Sequence, residues 1–180
     1  MTSDFTVISK ISNKLVELLR DNLVPDIISK RNAIALCTPY EYEDIEVGIF
    51  LYDISRDEEI PFGGRINEGN IQKYPPEVVK LCYAITPFLK SDIRYLAQEQ
   101  QIVMGKIIQT MNDGFITDDI CETNLKLLSL PFSEKKDIIS GKNNNYTMSL
   151  FYCVSNVHID SLRTKGIKRV NEIIFKTDYI

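Results

Sequence analysis

The chain has 180 residues, 44% of them apolar and 26% charged, with only 8 glycines and 7 prolines. A monomer of this size buries roughly 70% of its unfolded surface, so a core forms without metal or disulfide staples, and collagen-like, low-complexity and wholly disordered chains are excluded. With 21 Lys and Arg against 25 Asp and Glu the formal charge is -4, which leaves no global positive field to draw in nucleic acid or anionic lipid.

The clearest pattern comes first. Over residues 5–23, Ile8, Ile11, Leu15, Leu18 and Leu19 fall on one helical face with Lys10, Lys14, Glu17 and Asp21 opposite. Thr6 or Asp4 can cap this amphipathic helix, and Pro25 discourages its continuation. Two short apolar runs follow, Ala33 to Cys37 and Val47 to Ile54, and both read as strands. Gly48, inside the second, marks a bulge or a close backbone approach.

From Arg56 to Pro76 the chain carries charges, Gly63, Gly64, Gly69 and the pair Pro75 and Pro76. This composition predicts an irregular excursion, long enough to reach a partner. Val78 to Ala84 resumes strand-like patterning until Thr86 and Pro87 break it. Ser91 then caps a second helix running to about Met111, with Ile93, Leu96, Val103, Ile107 and Met111 on its apolar face.

Beyond Asn112, Asp113 and Gly114 the pattern predicts a short element near Leu125 to Leu130 and a helical turn over Ser133 to Ile139. A polar turn over Gly141 to Asn145 precedes a long strand over Tyr146 to Val157. The 166–180 end, with Val170, Ile173, Ile174 and Phe175, reads as an edge strand or an arm. Strands on either side of a long helix predict a single α+β domain, a mixed sheet flanked by two main helices.

Tests for chemistry return little. The start MTSDFTVISK has no basic, apolar and cleavage regions of a secretory signal, and no run of 18 apolar residues follows. The expectation is synthesis in the cytoplasm and no membrane partner. Cys37, Cys82, Cys121 and Cys153 are scattered without a CxxC pair, as expected of small apolar side chains in a reducing compartment. Setting Gly114 at the sixth position of a calcium loop puts Gln109, Met111 and Ile120 where oxygen ligands are required. Gly141-Lys142 lacks the rest of a phosphate loop, and no GxGxxG occurs. His158 is the only histidine, and its odd separation from Cys153 sets the two on opposite faces of a regular strand. No cofactor, no metal and no catalytic residue is expected, and nucleic acid is not an expected partner.

Charge segregation says more. Residues 41–59 hold Glu41, Glu43, Asp44, Glu46, Asp53, Asp57, Glu58 and Glu59 against Arg56 alone. Residues 161–180 hold Arg163, Lys165, Lys168, Arg169 and Lys176 against Glu172 and Asp178. Such surfaces either meet between neighbouring copies of a ring, setting register and orientation, or are solvated or paired within one subunit.

The stretches SNKLVELLRDNLVPD (Ser12 to Asp26), IALCTP (Ile34 to Pro39) and VGIFLYDIS (Val47 to Ser55) resemble the N-terminal domain of the Pvc16-like family. LCYAITPF (Leu81 to Phe88), MGKIIQTMND (Met104 to Asp113) and MSLFYCVSNVHIDS (Met148 to Ser161) continue the resemblance in the same order, over about 150 residues. These are cap, or tail-terminator, proteins of extracellular contractile injection systems and related phage-tail-like particles. The resemblance implies a non-enzymatic homo-hexamer, a ring that ends the inner tube and anchors the last sheath layer, with the tube and sheath proteins as partners. It implies assembly in the cytoplasm, then residence in an extracellular or cytoplasmic particle. Glu41, Glu43, Asp44, Arg163, Lys168, Arg169, Val170 and Ile174 are the interface candidates, the last two on an edge able to pair with a sheath segment by strand addition. A neck or baseplate component, or a small cytosolic enzyme with a polar-lined pocket, are the competing readings.

Overall fold

The first helix, α1, spans Val7–Leu23 and turns Val7, Ile11, Leu15, Val16, Leu19 and Leu23 inward. The computed structural model describes residues 5–38, 43–59, 64–68, 71–114, 124–139 and 146–166. Within them, eight strands follow in chain order: β1 (Ile34–Leu36), β2 (Val47–Arg56), β3 (Ile66–Glu68), β4 (Ile71–Lys73), β5 (Glu77–Pro87), β6 (Asn124–Leu127), β7 (Leu150–Ile159) and β8 (Thr164–Gly166). Two more helices, α2 (Ile93–Gly114) and α3 (Phe132–Ile139), complete the described elements.

The main sheet runs β1-β2-β5-β7-β6. Only β1 and β2 are parallel; every other pairing in it is antiparallel. Helices α1 and α2 bury one face of this sheet, where Leu15, Leu19, Val103 and Ile107 meet Val79, Leu81, Tyr83, Ile85, Tyr152 and Val154. On the other face Ile139 of α3 packs with Ala84 and Phe151. The expected architecture, a mixed sheet flanked by helices in one domain, is the one observed, and the third helix covers the face that the two main helices leave open. Each fully buried Leu or Ile here contributes about 1.5–3 kcal/mol relative to an exposed one.

Polar contacts fix how α1 sits. Ser12 Oγ donates to Ile8 O at 3.0 Å and lies 2.8 Å from Tyr83 Oη. Because the serine hydroxyl has a single proton, committed to Ile8, the tyrosine donates to it. Arg20 Nε donates to Ile34 O at 3.0 Å, tying the helix to β1. Arg31 adds exposed ion pairs to Glu17 at 2.5 Å and Asp21 at 2.7 Å.

Several local expectations change. Strand β5 runs through Thr86 and Pro87 because both pair with β2, opposite Gly48 and Val47, and the Thr86 hydroxyl lies 2.8 Å from Ser149 Oγ. The cap of α2 is Asp92 rather than Ser91: its Oδ1 accepts Arg94 N–H at 3.0 Å and its carbonyl accepts Leu96 N–H at 3.0 Å. Ser91 instead donates to the Glu99 carboxylate. On the predicted apolar face of α2, Val103, Ile107 and Met111 are buried, but Ile93 is 86% exposed.

Gly48 is a close approach and not a bulge. A Cβ placed there would lie 2.7 Å from Phe88 Cε2 and closer still to Cys37 Sγ. The register shift in β2 falls between Leu51 and Asp53 instead.

The 56–76 stretch carries more order than its composition predicts. Strands β3 and β4 pair antiparallel, and β8 joins β4 to make a second, three-stranded sheet. Three-residue strands are too short for alternation to reveal. Their spacing did carry a trace, since Ile66-Asn67-Glu68 and Ile71-Gln72-Lys73 flank a Gly-Asn pair, a short-hairpin signature.

Candidate interaction surfaces

The acidic run divides into an internal and an external part. Asp57 is buried, with Oδ1 3.3 Å from Lys80 Nζ and Oδ2 accepting the Asn156 N–H at 3.0 Å. Burial raises its carboxyl pKa, but the N–H of Asn156, the Lys80 ammonium and the N–H of Glu59 outweigh this and hold it below the usual value. Glu59 also pairs with Lys80, at 3.2 Å, and Arg56 with Glu77, at 3.4 Å. This part of the run is paired within the chain.

Glu43 and Asp44 are different. Both are exposed and line an 880 Å³ groove between the 26–33 segment, the approach to β2 and the start of α2. Asp26, Glu46 and Glu99 add carboxylates to its walls, against Lys30 and Lys90. The Lys90 ammonium donates to the Glu43 carbonyl. Ile102, also on the groove, is 54% exposed.

Arg163 sits on the second sheet. Its carbonyl accepts the Tyr74 N–H at 3.1 Å, and its guanidinium lies 5.6 Å from the Tyr74 ring centroid. Arg65 approaches the same ring at 4.8 Å, a cation–π arrangement that gathers two arginines beside the exposed Lys165 of β8. Ile66, Ile71 and Leu162 are exposed nearby in sequence, Leu162 by 84%. Arg65 and these apolar side chains were not legible as part of a basic surface, because the pairing of β4 with β8 joins segments some ninety residues apart in the sequence.

Among the described residues, neither Glu43 nor Asp44 forms an ion pair with Arg163. Glu41, Lys168, Arg169, Val170 and Ile174 lie outside the described residues, as does the proposed edge around 170–175.

His158 departs from the expected geometry. A register shift places both Val154 and Val157 in the α1 core, so parity along β7 reverses and Cys153 and His158 share the opposite face. They remain separately engaged: His158 Nε2 lies 2.8 Å from Asn156 Oδ1, and Cys153 stands opposite Cys82 of β5. Among the described residues no group of three His, Cys, Asp or Glu side chains can hold a metal ion, and no helix is long and apolar enough to cross a membrane.

The mixed sheet with helices on both faces is a tail-terminator-like fold. The chain belongs to the Pvc16 N-terminal domain family, whose model matches residues 10–172. One similar solved structure is the sheath/tube terminator of an extracellular contractile injection system, PVC, in its extended state, with TM-score 0.66 at 16% identity. That match covers 100% of this chain and 65% of the other. Another is the tube-terminating cap of the anti-feeding prophage, with TM-score 0.65 and 16% identity over 98% of this chain and 63% of that one. The chain thus spans a little under two thirds of these terminators. No curated protein matches it.

Proposed function

We propose that this protein is the cap of a contractile injection system, a ring that stops the inner tube and holds the last sheath layer. The observation that carries this reading is the whole-chain fold match to a sheath/tube terminator, TM-score 0.66, together with family membership. Its work is geometric. A closed ring consumes its lateral surfaces, and a face that cannot receive another tube layer ends polymerisation.

In this reading six copies close the ring, and the groove bearing Glu43 and Asp44 on one copy meets the Arg163 surface of the next. The first surface carries five carboxylates against Lys30 and Lys90 and the second carries Arg65, Arg163 and Lys165, each with exposed apolar side chains, Ile102 on the first and Leu162 on the second. Charge of opposite sign fixes orientation and accelerates encounter, while the apolar contacts supply affinity. Residues 167–180, which include Lys168, Arg169, Val170 and Ile174, extend the basic surface and offer the segment that pairs with the sheath. In this reading the subunit assembles in the cytoplasm and then forms part of an extracellular or cytoplasmic particle.

Removing residues 167–180 tests the sheath contact, since β8 stays in place. The expected result is a folded subunit that still ends the tube but releases the sheath. Firm sheath attachment in the truncated form would remove this assignment.

A further inference from the structure

Antiparallel pairing of β5 and β7 sets Cys82 directly opposite Cys153. Both are free thiols on the α3 side of the sheet, since their strand neighbours Leu81, Tyr83, Tyr152 and Val154 face the α1 core. Residues directly opposite in such a pair have Cα atoms about 4.5–5.5 Å apart, inside the range of about 4.4–6.8 Å that a disulfide spans. A small approach of the two strands, closing the Cβ separation from about 4.5–5.5 Å to the about 3.5–4.5 Å of a disulfide, together with side-chain rotation, brings the sulfurs into bonding geometry.

We propose that Cys82 and Cys153 form a disulfide across the two central strands when the protein meets a small-molecule disulfide such as glutathione disulfide. Cys82 is the more exposed of the two, whereas Cys153 is 8% exposed. The Cys82 thiolate attacks one sulfur of the oxidant and releases one glutathione thiol, leaving a mixed disulfide. The Cys153 thiolate then attacks the Cys82 sulfur and expels the second glutathione. Two S–H bonds of the protein break and one S–S bond forms; the oxidant's S–S bond is reduced by two electrons, and the two protons end on the two glutathione thiols.

Burial, and then the neighbouring Cys82, push the Cys153 thiol up to about 12. Closure is accordingly slow near neutrality and faster in alkaline solution, because only the thiolate attacks. The bond would staple β5 to β7 in the middle of the β2-β5-β7-β6 array, a covalent reinforcement of the element that carries both hydrophobic cores. This chemistry depends on the pair alone and stands apart from the cap reading.

The test is incubation of the full chain with glutathione disulfide at pH 8.5, followed by denaturation, alkylation and peptide mapping by mass spectrometry. The expected product loses about 2 Da, links the Cys82 and Cys153 peptides, and is restored by a reducing agent. A Cys153→Ser variant should stop at the single glutathione adduct on Cys82. Free, alkylatable Cys82 and Cys153 after prolonged incubation would overturn the proposal. So would a mixed disulfide on Cys82 in the unsubstituted chain that does not resolve.

Discussion

The Asp57 carboxylate accepts the backbone N–H of Asn156 at 3.0 Å, at the residue where β7 turns to a φ of 62°. The positive φ and the register shift beside it re-aim the strand, so that Val154 and Val157 both face the α1 core. A bulge of this kind leaves a backbone donor without a ladder partner, and the carboxylate at the end of β2 supplies the acceptor. Thus a residue embedded in a surface-like charge run positions part of the core.

The pKa of Asp57 lies below its usual value of 3.8, so its interactions stabilise the fold above about pH 4 and are lost as pH falls through the depressed native value. In an acid titration of thermal stability, Asp57→Asn should lower the midpoint at pH 7 and flatten its fall below about pH 4. The expected cost at neutral pH is about 2 kcal/mol, from the lost charge-assisted hydrogen bonds. An acid limb identical to that of the unsubstituted chain would contradict this role.

Gly48→Ala puts a methyl group against the Phe88 ring and the Cys37 sulfur, both inside contact distance. Overpacking of this kind costs about 1–3 kcal/mol, which should appear as a lowered denaturant midpoint with an unchanged slope. Substitution at Gly105, where nothing lies within 4 Å of the added Cβ, is the control and should be neutral or stabilising.

Ser12 and Tyr83 join α1 to the centre of the sheet through one buried hydrogen bond of 2.8 Å. Tyr83→Phe should cost about 1 kcal/mol, and in a double-mutant cycle with Ser12→Ala the two effects should fall short of additivity by a similar amount. Burial pushes the Tyr83 phenol up to about 12, so its ionisation should be absent from an absorbance titration of the folded protein through pH 10. Additive energies, or the loss on Tyr83→Phe of one ionisation near pH 10, would contradict the buried contact.

The parts of this fold that were legible share one property: they are long enough for periodicity to show. Helix α1 repeats its apolar positions through four turns, and β2, β5 and β7 each run ten or eleven residues. Strands β3, β4 and β8 have three residues each and exist because they find one another, which local pattern does not report. Asp57 was read with its acidic neighbours because burial of a carboxylate is decided by the strand opposite. The alternation rule failed for Cys153 and His158 for a related reason, as the register shift alters parity between them. Of the interface candidates, Glu43, Asp44 and Arg163 emerge on exposed surfaces, and tertiary pairing adds Arg65, which charge counting did not select.

If the groove of one copy holds the basic sheet of the next, reversing Glu43 and Asp44 to Lys should weaken ring closure roughly tenfold or more, since like charges at an interface are penalised. Adding Arg163→Glu and Lys165→Glu should restore part of the loss. Occupancy of particle ends, counted by electron microscopy, reads both effects, and equal occupancy across all variants would exclude these surfaces from the contact.

The most direct measurement is the length distribution of particles assembled in cells from which only this chain has been removed, imaged beside the complemented strain. A cap that ends the tube predicts tubes of widely varying length with loosened sheath ends, restored to one length when the protein is returned. Uniform particles with firmly held sheaths in its absence would contradict the account.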